Sequence, residues 1–392
     1  MKSRVISVAL VLVVVACGAG NQGADGEPSA NDAPRVTPPG PASALEPGGG
    51  ASIDASMDAT ASPAPDAAAE AGLSPADDPN DAATVASASC AGPIPAGGAR
   101  ALPLPAYAGT CPTLAAAPAT TSITTSGAQR SFIVVRPTTA SPGETLPVVF
   151  LWHWLGGSAD AMASTLEVQA AADARRFIAV LPTARGDALL RWPFEASQTQ
   201  SRVDEEAQFF DDMLACVAAV LPVNKECVSS IGVSAGALWT AQLARQRSQR
   251  LASMVSLSGG TGGIVRGWST TPHRLPSLVL WGGAGDTYPA NLPIMNFETA
   301  SRDLESALTT DGHYLLECTH NCGHAVPPFD APAPGSSALP FDAVWRFVLD
   351  HPYWLPASRS PYAGKSLPGA YPAWCGSGKG SATPRSSGAA CP

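Results

Sequence analysis

Five residues, Gly232-Val233-Ser234-Ala235-Gly236, stand between an apolar run at 227–231 and a helix-forming run at 237–243. A strand that bends sharply into a helix lays that helix on a sheet face, and the next strand then runs parallel to the first. The two glycines suit such a bend, because a Cβ at either position would crowd neighbouring backbone. The serine sits at the apex, where a helix N-terminus favours developing negative charge. Strand, turn and helix together form the context of a nucleophile elbow.

The surrounding pattern agrees with a parallel sheet. Near-continuous apolar runs at 131–136, 147–152, 177–181, 227–233, 252–257, 277–281 and 313–318 are expected strands. Helix-like segments lie between them. Phe210, Met213, Leu214, Val217 and Leu221 share one helical face, and Asn296 is placed to cap a helix carrying Phe297, Leu304 and Leu308. Strands that are apolar throughout, alternating with helices, predict an α/β fold whose mostly parallel sheet has helices on both faces.

The chain has 392 residues, and residues 89–356 form the expected globular catalytic domain. Ahead of them, residues 18–88 are dominated by Ala, Pro, Gly, Asp and Ser and lack the apolar surface to offset chain entropy, so a disordered linker is expected. Lys2 and Arg4 precede an apolar run that ends at Ala16-Cys17. That run is shorter than the roughly 20 residues of a spanning helix and predicts a signal peptide over 1–17. Residues 357–392, rich in Ser, Gly and Pro, are expected to form a C-terminal extension. The net charge of −9 and the absence of a basic cluster argue against nucleic acid as a partner.

Of nine cysteines, Cys17 belongs to the leader and eight remain. An even number in an exported chain favours disulfides over free thiols. Proximity along the chain suggests Cys90–Cys111, Cys216–Cys227, Cys318–Cys322 and Cys375–Cys391. The alternation Cys318, His320, Cys322, His324 has zinc-ligand residue types, but its spacing is not that of a usual zinc site, and no metal or cofactor is assigned.

A serine hydroxyl needs a base and an orienting acid to attack a carbonyl. Behind an elbow these follow in the order acid, then histidine. Asp286 lies just past the strand at 277–281, at a sheet's C-terminal edge. His324 lies in the loop after the strand at 313–318, with Gly323 allowing a close bend and a Cys318–Cys322 bridge expected to stiffen it. His320, in the same loop, is the competing base. His313 falls at the far end of its strand, and His351 and His153 are read as structural. The oxyanion donors are expected to be the backbone N–H of Ala235 and a second from Trp154 or Leu155, in the loop after the strand at 147–152. The side chain of Trp154 is expected to line the substrate pocket, with Trp192 and Trp239 as weaker candidates.

These motifs resemble those of the secreted esterase family that includes polyhydroxybutyrate depolymerases and feruloyl or acetylxylan esterases. The resemblance spans roughly residues 120–352. It rests on Trp152-His153-Trp154-Leu155-Gly156-Gly157-Ser158, Arg191-Trp192, the elbow, Asp286-Thr287-Tyr288-Pro289 and the Cys-x-x-x-Cys-Gly-His loop ending at His324. It implies an α/β-hydrolase fold with Ser234, Asp286 and His324 as nucleophile, acid and base. The chain departs from the family at Trp154, where a glycine is usual, and at Ala237, where a further glycine is common. Val14-Val15-Ala16-Cys17 resembles a bacterial lipobox, which implies lipidation of Cys17. Gly18 then resembles the sorting residue of outer-membrane lipoproteins. The expectation is a serine esterase outside the cytoplasm, lipid-anchored in the cell envelope or secreted, acting on a small or polymer-linked ester without a cofactor. The rivals are an inactive hydrolase-fold binding module, its oxyanion hole blocked by Trp154, and a peptidase using the same three residues.

Overall fold

A computed structural model describes residues 89–391, except 140, 189, 291–292, 330–338, 357–359 and 365. All of these lie in the unit Gly72–Pro392. The expected signal peptide, Cys17 and the linker at 18–88 fall outside the described residues.

Each apolar run seen in the sequence is a strand. β1 (Thr120–Thr125), β2 (Ala128–Val135), β3 (Leu146–Trp152), β4 (Ile178–Pro182), β5 (Val223–Val233), β6 (Ser253–Leu257), β7 (Ser277–Trp281), β10 (Leu315–Thr319) and β11 (Cys375–Ser377) form one nine-stranded sheet in the order β1-β2-β4-β3-β5-β6-β7-β10-β11. The stretch from β4 to β10 is parallel throughout, while β1, β2 and β11 add antiparallel edges. Two short strands, β8 (Thr287–Tyr288) and β9 (Met295–Asn296), pair with each other outside it.

Alternation along β3 separates two cores. Val148, Phe150 and Trp152 pack with α3 (Gln200–Val220), α4 (Ala235–Arg247) and α5 (Phe297–Thr310). Val149 and Leu151 point the other way, toward α1 (Ala159–Thr165), α2 (Val168–Arg175) and α6 (Asp342–Leu349). Because successive side chains of a strand face opposite ways, a strand apolar at every position needs cover on both faces. Phe150 is fully buried, 4.5 Å from the Phe210 ring centroid. Such a side chain contributes about 1.5–3 kcal/mol by leaving water. The Asn296 side chain accepts from the Thr299 amide at 2.9 Å and starts α5, as its position predicts.

The disulfide expectation fails at all four bonds. The structure pairs Cys90–Cys227, Cys111–Cys216, Cys318–Cys375 and Cys322–Cys391. The first two bind the segment ahead of β1 to β5 and α3, and the last two bind the C-terminal segment to β10 and the loop after it. Proximity in sequence misled because the partners are neighbours across the sheet: Cys318 and Cys375 face each other in the β10–β11 register. Within the C-terminal segment, Cys375–Ser377 supply the edge strand β11 of the sheet. With Cys318 and Cys322 both in disulfides, neither thiol is left to bind zinc. Among the described residues no helix is long and apolar enough to cross a membrane.

Burial also sets an acid limit on stability. Burial depresses His273, His320 and His351 from the usual 6.5 to about 4. The unfolded chain takes up these protons near 6.5 and the folded one only near 4. Their contribution is thus complete above 6.5 and lost as pH falls through 4, by about 3 kcal/mol at most from each. Glu305, raised by burial to about 7, works the other way between 7 and 4.5, and Asp211 and Asp350, also raised by burial, do so above their usual range. His153, lowered by burial, adds to the three histidines, so the histidines outnumber the opposing carboxylates by one. The melting temperature is therefore expected to fall between pH 6.5 and 4. A flat or rising curve in calorimetry would contradict this.

Candidate active site

Ser234 sits between β5 and α4 with φ 54° and ψ −118°, a region sparsely populated by non-glycine residues and costing about 1–3 kcal/mol. Its neighbours enforce the bend. The Ser234 amide donates to Leu257 O of β6 at 2.9 Å, and its carbonyl accepts from the Ala237 and Leu238 amides. A Cβ on Gly232 would lie 2.1 Å from Gly236 O, and one on Gly236 would lie 2.0 Å from Trp152 O. Both positions require glycine, since the turn and the end of β3 meet backbone against backbone.

Three side chains from separate strand ends meet over this turn. Ser234 Oγ lies 2.9 Å from His324 Nε2, and His324 Nδ1 lies 2.7 Å from Asp286 Oδ1. A carboxylate oxygen only accepts, so Nδ1 carries the proton and Nε2 is left to accept from the serine hydroxyl. Asp286 is fully buried, and its Oδ2 accepts from Ser258 Oγ at 2.8 Å and from the Gly282 amide at 2.7 Å. The His324 ring stacks on Phe297, centroids 4.3 Å apart.

The loop carrying His324 is held from two sides. The Gly323 amide donates to Gly282 O at 2.8 Å, fastening it to the Asp286 loop. From the other side the C-terminal segment clasps it through Cys322–Cys391, through the Arg385 amide on Thr319 O and through Asn321 Nδ2 on Arg385 O. The expected stiffening is thus present, but the tail supplies it rather than a Cys318–Cys322 bridge.

The structure brings His324, and not the competing His320, to Ser234. His320 is buried against Trp374, and its Nδ1 accepts from the Cys322 amide at 3.2 Å. His313 bonds Leu275 O and Asp311, and His351 bonds Phe347 O and Ser360, both away from the serine.

A cavity of about 370 Å³ opens at Ser234, lined by Trp154, Leu155, Leu166, Val233, Leu257 and Phe341 and by Tyr288 and Val326 nearer solvent. Among the described residues that line it, the ionisable groups are His324 and the Tyr288 phenol. Trp154 is among the residues that line the cavity. Its indole folds back over its own loop, where a Cβ on Gly157 would meet it at 2.9 Å. Trp192 does not line the cavity. It is wholly buried, and its Nε1 donates to His153 O at 2.8 Å, so its polar edge is turned to backbone. Trp239 is likewise buried in the core. The Ala235 and Gly236 amides open α4, where no preceding turn supplies acceptors.

Sequence reasoning missed Ser258 and Phe297, which hold Asp286 and His324. Ser258 was legible in principle: it follows β6 as Asp286 follows β7, a polar residue at a strand's C-terminal end.

No protein-family model matches the chain, and no curated protein matches it either. Solved structures do. One described as pOPH in complex with DMSO superposes with a TM-score of 0.54 at 15% identity, covering 71% of this chain and 97% of that one. This is an α/β-hydrolase fold. Native sOPH gives 0.53 at 16% identity, covering 70% and 97%. An acetyl xylan esterase from Aspergillus awamori gives 0.41 at 14%, covering 53% and 95%. For pOPH and sOPH the likeness at these identities is one of fold, and the chemistry must be argued from the site.

Proposed function

We propose that this chain is a serine esterase that acts outside the cytoplasm. The observation that supports it best is the unbroken hydrogen-bonded line from Ser234 Oγ through His324 to Asp286, at the floor of an apolar cavity. Ser234 attacks the ester carbonyl as His324 Nε2 takes its proton. His324 returns the proton to the departing alcohol, which leaves an acyl-enzyme. Water, activated by the same histidine, then releases the acid. Asp286 holds the ring with Nδ1 protonated and balances its charge when Nε2 is protonated. The amides of Ala235 and of Trp154 or Leu155 receive the oxyanion, and one such donor is worth about 3 kcal/mol.

The cavity favours an uncharged acyl group of moderate size, since among the described residues no lysine, arginine or carboxylate lines it to pair with a charged one. Four disulfides suit an oxidising compartment, and a lipid on Cys17 would hold the domain at the envelope.

A fluorophosphonate probe tests the chemistry. It is expected to label the protein stoichiometrically, with the adduct mapping to Ser234. Turnover should extend over p-nitrophenyl acetate, butyrate and feruloyl esters, and fall at least tenfold for esters whose acyl group ends in a carboxylate. An unlabelled protein would favour the inactive binding module, and hydrolysis of aminoacyl amides alone would favour the peptidase.

A further inference from the structure

We infer that Trp192 and His153 are positioning residues for the oxyanion-binding backbone, holding two successive peptide planes so that the Trp154 and Leu155 amides face the reacting carbonyl. The inference rests on the esterase reading of the site. A peptide unit is planar and trans, so fixing its carbonyl fixes the direction of the N–H on the other side. The carbonyl of the 153–154 peptide accepts from Trp192 Nε1 at 2.8 Å. The carbonyl of the next, 154–155, accepts from the Gly157 amide at 3.0 Å and from His153 Nδ1 at 2.9 Å. The amides of these planes belong to Trp154 and Leu155, which line the cavity with Ser234.

The supports are themselves fixed. Trp192 is fully buried and packs edge-on against Trp152, centroids 5.1 Å apart. His153 Nε2 accepts from the Ala184 amide at 3.4 Å, which leaves Nδ1 as the protonated nitrogen and hence the donor. Burial, assisted by Arg191, lowers the His153 pKa and keeps the ring neutral, as this arrangement requires. On the opposite side the loop has no slack: a Cβ added at Gly236 would lie 2.8 Å from His153 O as well as 2.0 Å from Trp152 O. The His153 carbonyl is thus caught between α4 and the Trp192 indole. Neither Trp192 nor His153 touches substrate; both act through backbone.

The test measures kcat and KM of the full-length protein on p-nitrophenyl butyrate, with active sites titrated to completion by a fluorophosphonate. Trp192→Phe keeps the ring and loses the donor. It is expected to lower kcat per titrated site about 10- to 100-fold with KM within twofold, since misplacing a donor costs part of the 10²–10³ that removing one costs. His153→Ala should act similarly. His153→Asn, whose amide can still donate to Trp154 O, should recover at least a third of the lost rate on a logarithmic scale. A purely structural role would lower the melting temperature while leaving kcat per titrated site unchanged, and that result in both His153→Ala and Trp192→Phe would overturn the inference. A wild-type protein without esterase activity would instead remove the reading beneath it, and the inference with it.

Discussion

Replacing Ser234 by alanine is expected to lower kcat on p-nitrophenyl butyrate by about a million-fold, and His324→Ala by about as much. At 1.36 kcal/mol per decade, each loss corresponds to about 8 kcal/mol of transition-state stabilisation. The equality follows from the geometry. With Oγ 2.9 Å from Nε2, the serine is a nucleophile only while the histidine can take its proton, so removing either partner removes the same step. The double variant should therefore be no slower than the single ones. The rate that remains, roughly 10³-fold above water, would come from the backbone donors and from binding. His320 supplies the control. An asparagine there keeps an acceptor for the Cys322 amide, so His320→Asn is expected to stay within tenfold of wild type. Loss of turnover in that variant, with His324→Ala still active, would reverse the assignment of the base.

The fold was legible where burial is two-sided. β3, β4 and β7 are apolar at nearly every position because helices cover both faces, and that pattern survives in sequence as plain hydrophobic runs. The edges were not legible. β1, Thr-Thr-Ser-Ile-Thr-Thr, faces solvent at alternate positions and offers one large aliphatic side chain. β11 is three residues long and forms only because β10 lies beside it. Disulfide pairing failed for a related reason: each bond closes between elements that chain order separates, and topology alone decides which cysteines meet.

The residues of the candidate site were legible to the same degree. Ser234, Asp286 and His324 each end or follow a parallel strand, so a correct list of strands already put them at one edge of one sheet. Trp192 was misplaced because a tryptophan near a site can serve as wall or as donor, and sequence does not say which. Its indole N–H, pointed at His153 O, settles the matter in space. The clasp of the C-terminal segment on the His324 loop was out of reach for want of the Cys322–Cys391 pairing.

Asp286→Asn is expected to cost about 10⁴-fold in kcat, or about 5.5 kcal/mol, while changing almost nothing in shape. The wild-type carboxylate accepts on both oxygens: Oδ2 from Ser258 and Gly282, and Oδ1 from His324 Nδ1. An asparagine must keep its oxygen toward Ser258 and Gly282, because two donors already point there and both are buried. Its NH₂ is then driven against His324 Nδ1. The ring can answer only by moving its proton to Nε2, the atom that faces Ser234 Oγ, and a protonated Nε2 cannot take the serine's proton. Ser258→Ala separates charge from geometry. It removes one of three hydrogen bonds but keeps the carboxylate, so it should cost only about tenfold. The ranking of the two variants is the informative quantity. If Asp286→Asn fell no further than Ser258→Ala, then the stack of His324 on Phe297 and the clasp of the tail would suffice to hold the base, and the carboxylate would be a buried anchor for the loop rather than the acid of a triad.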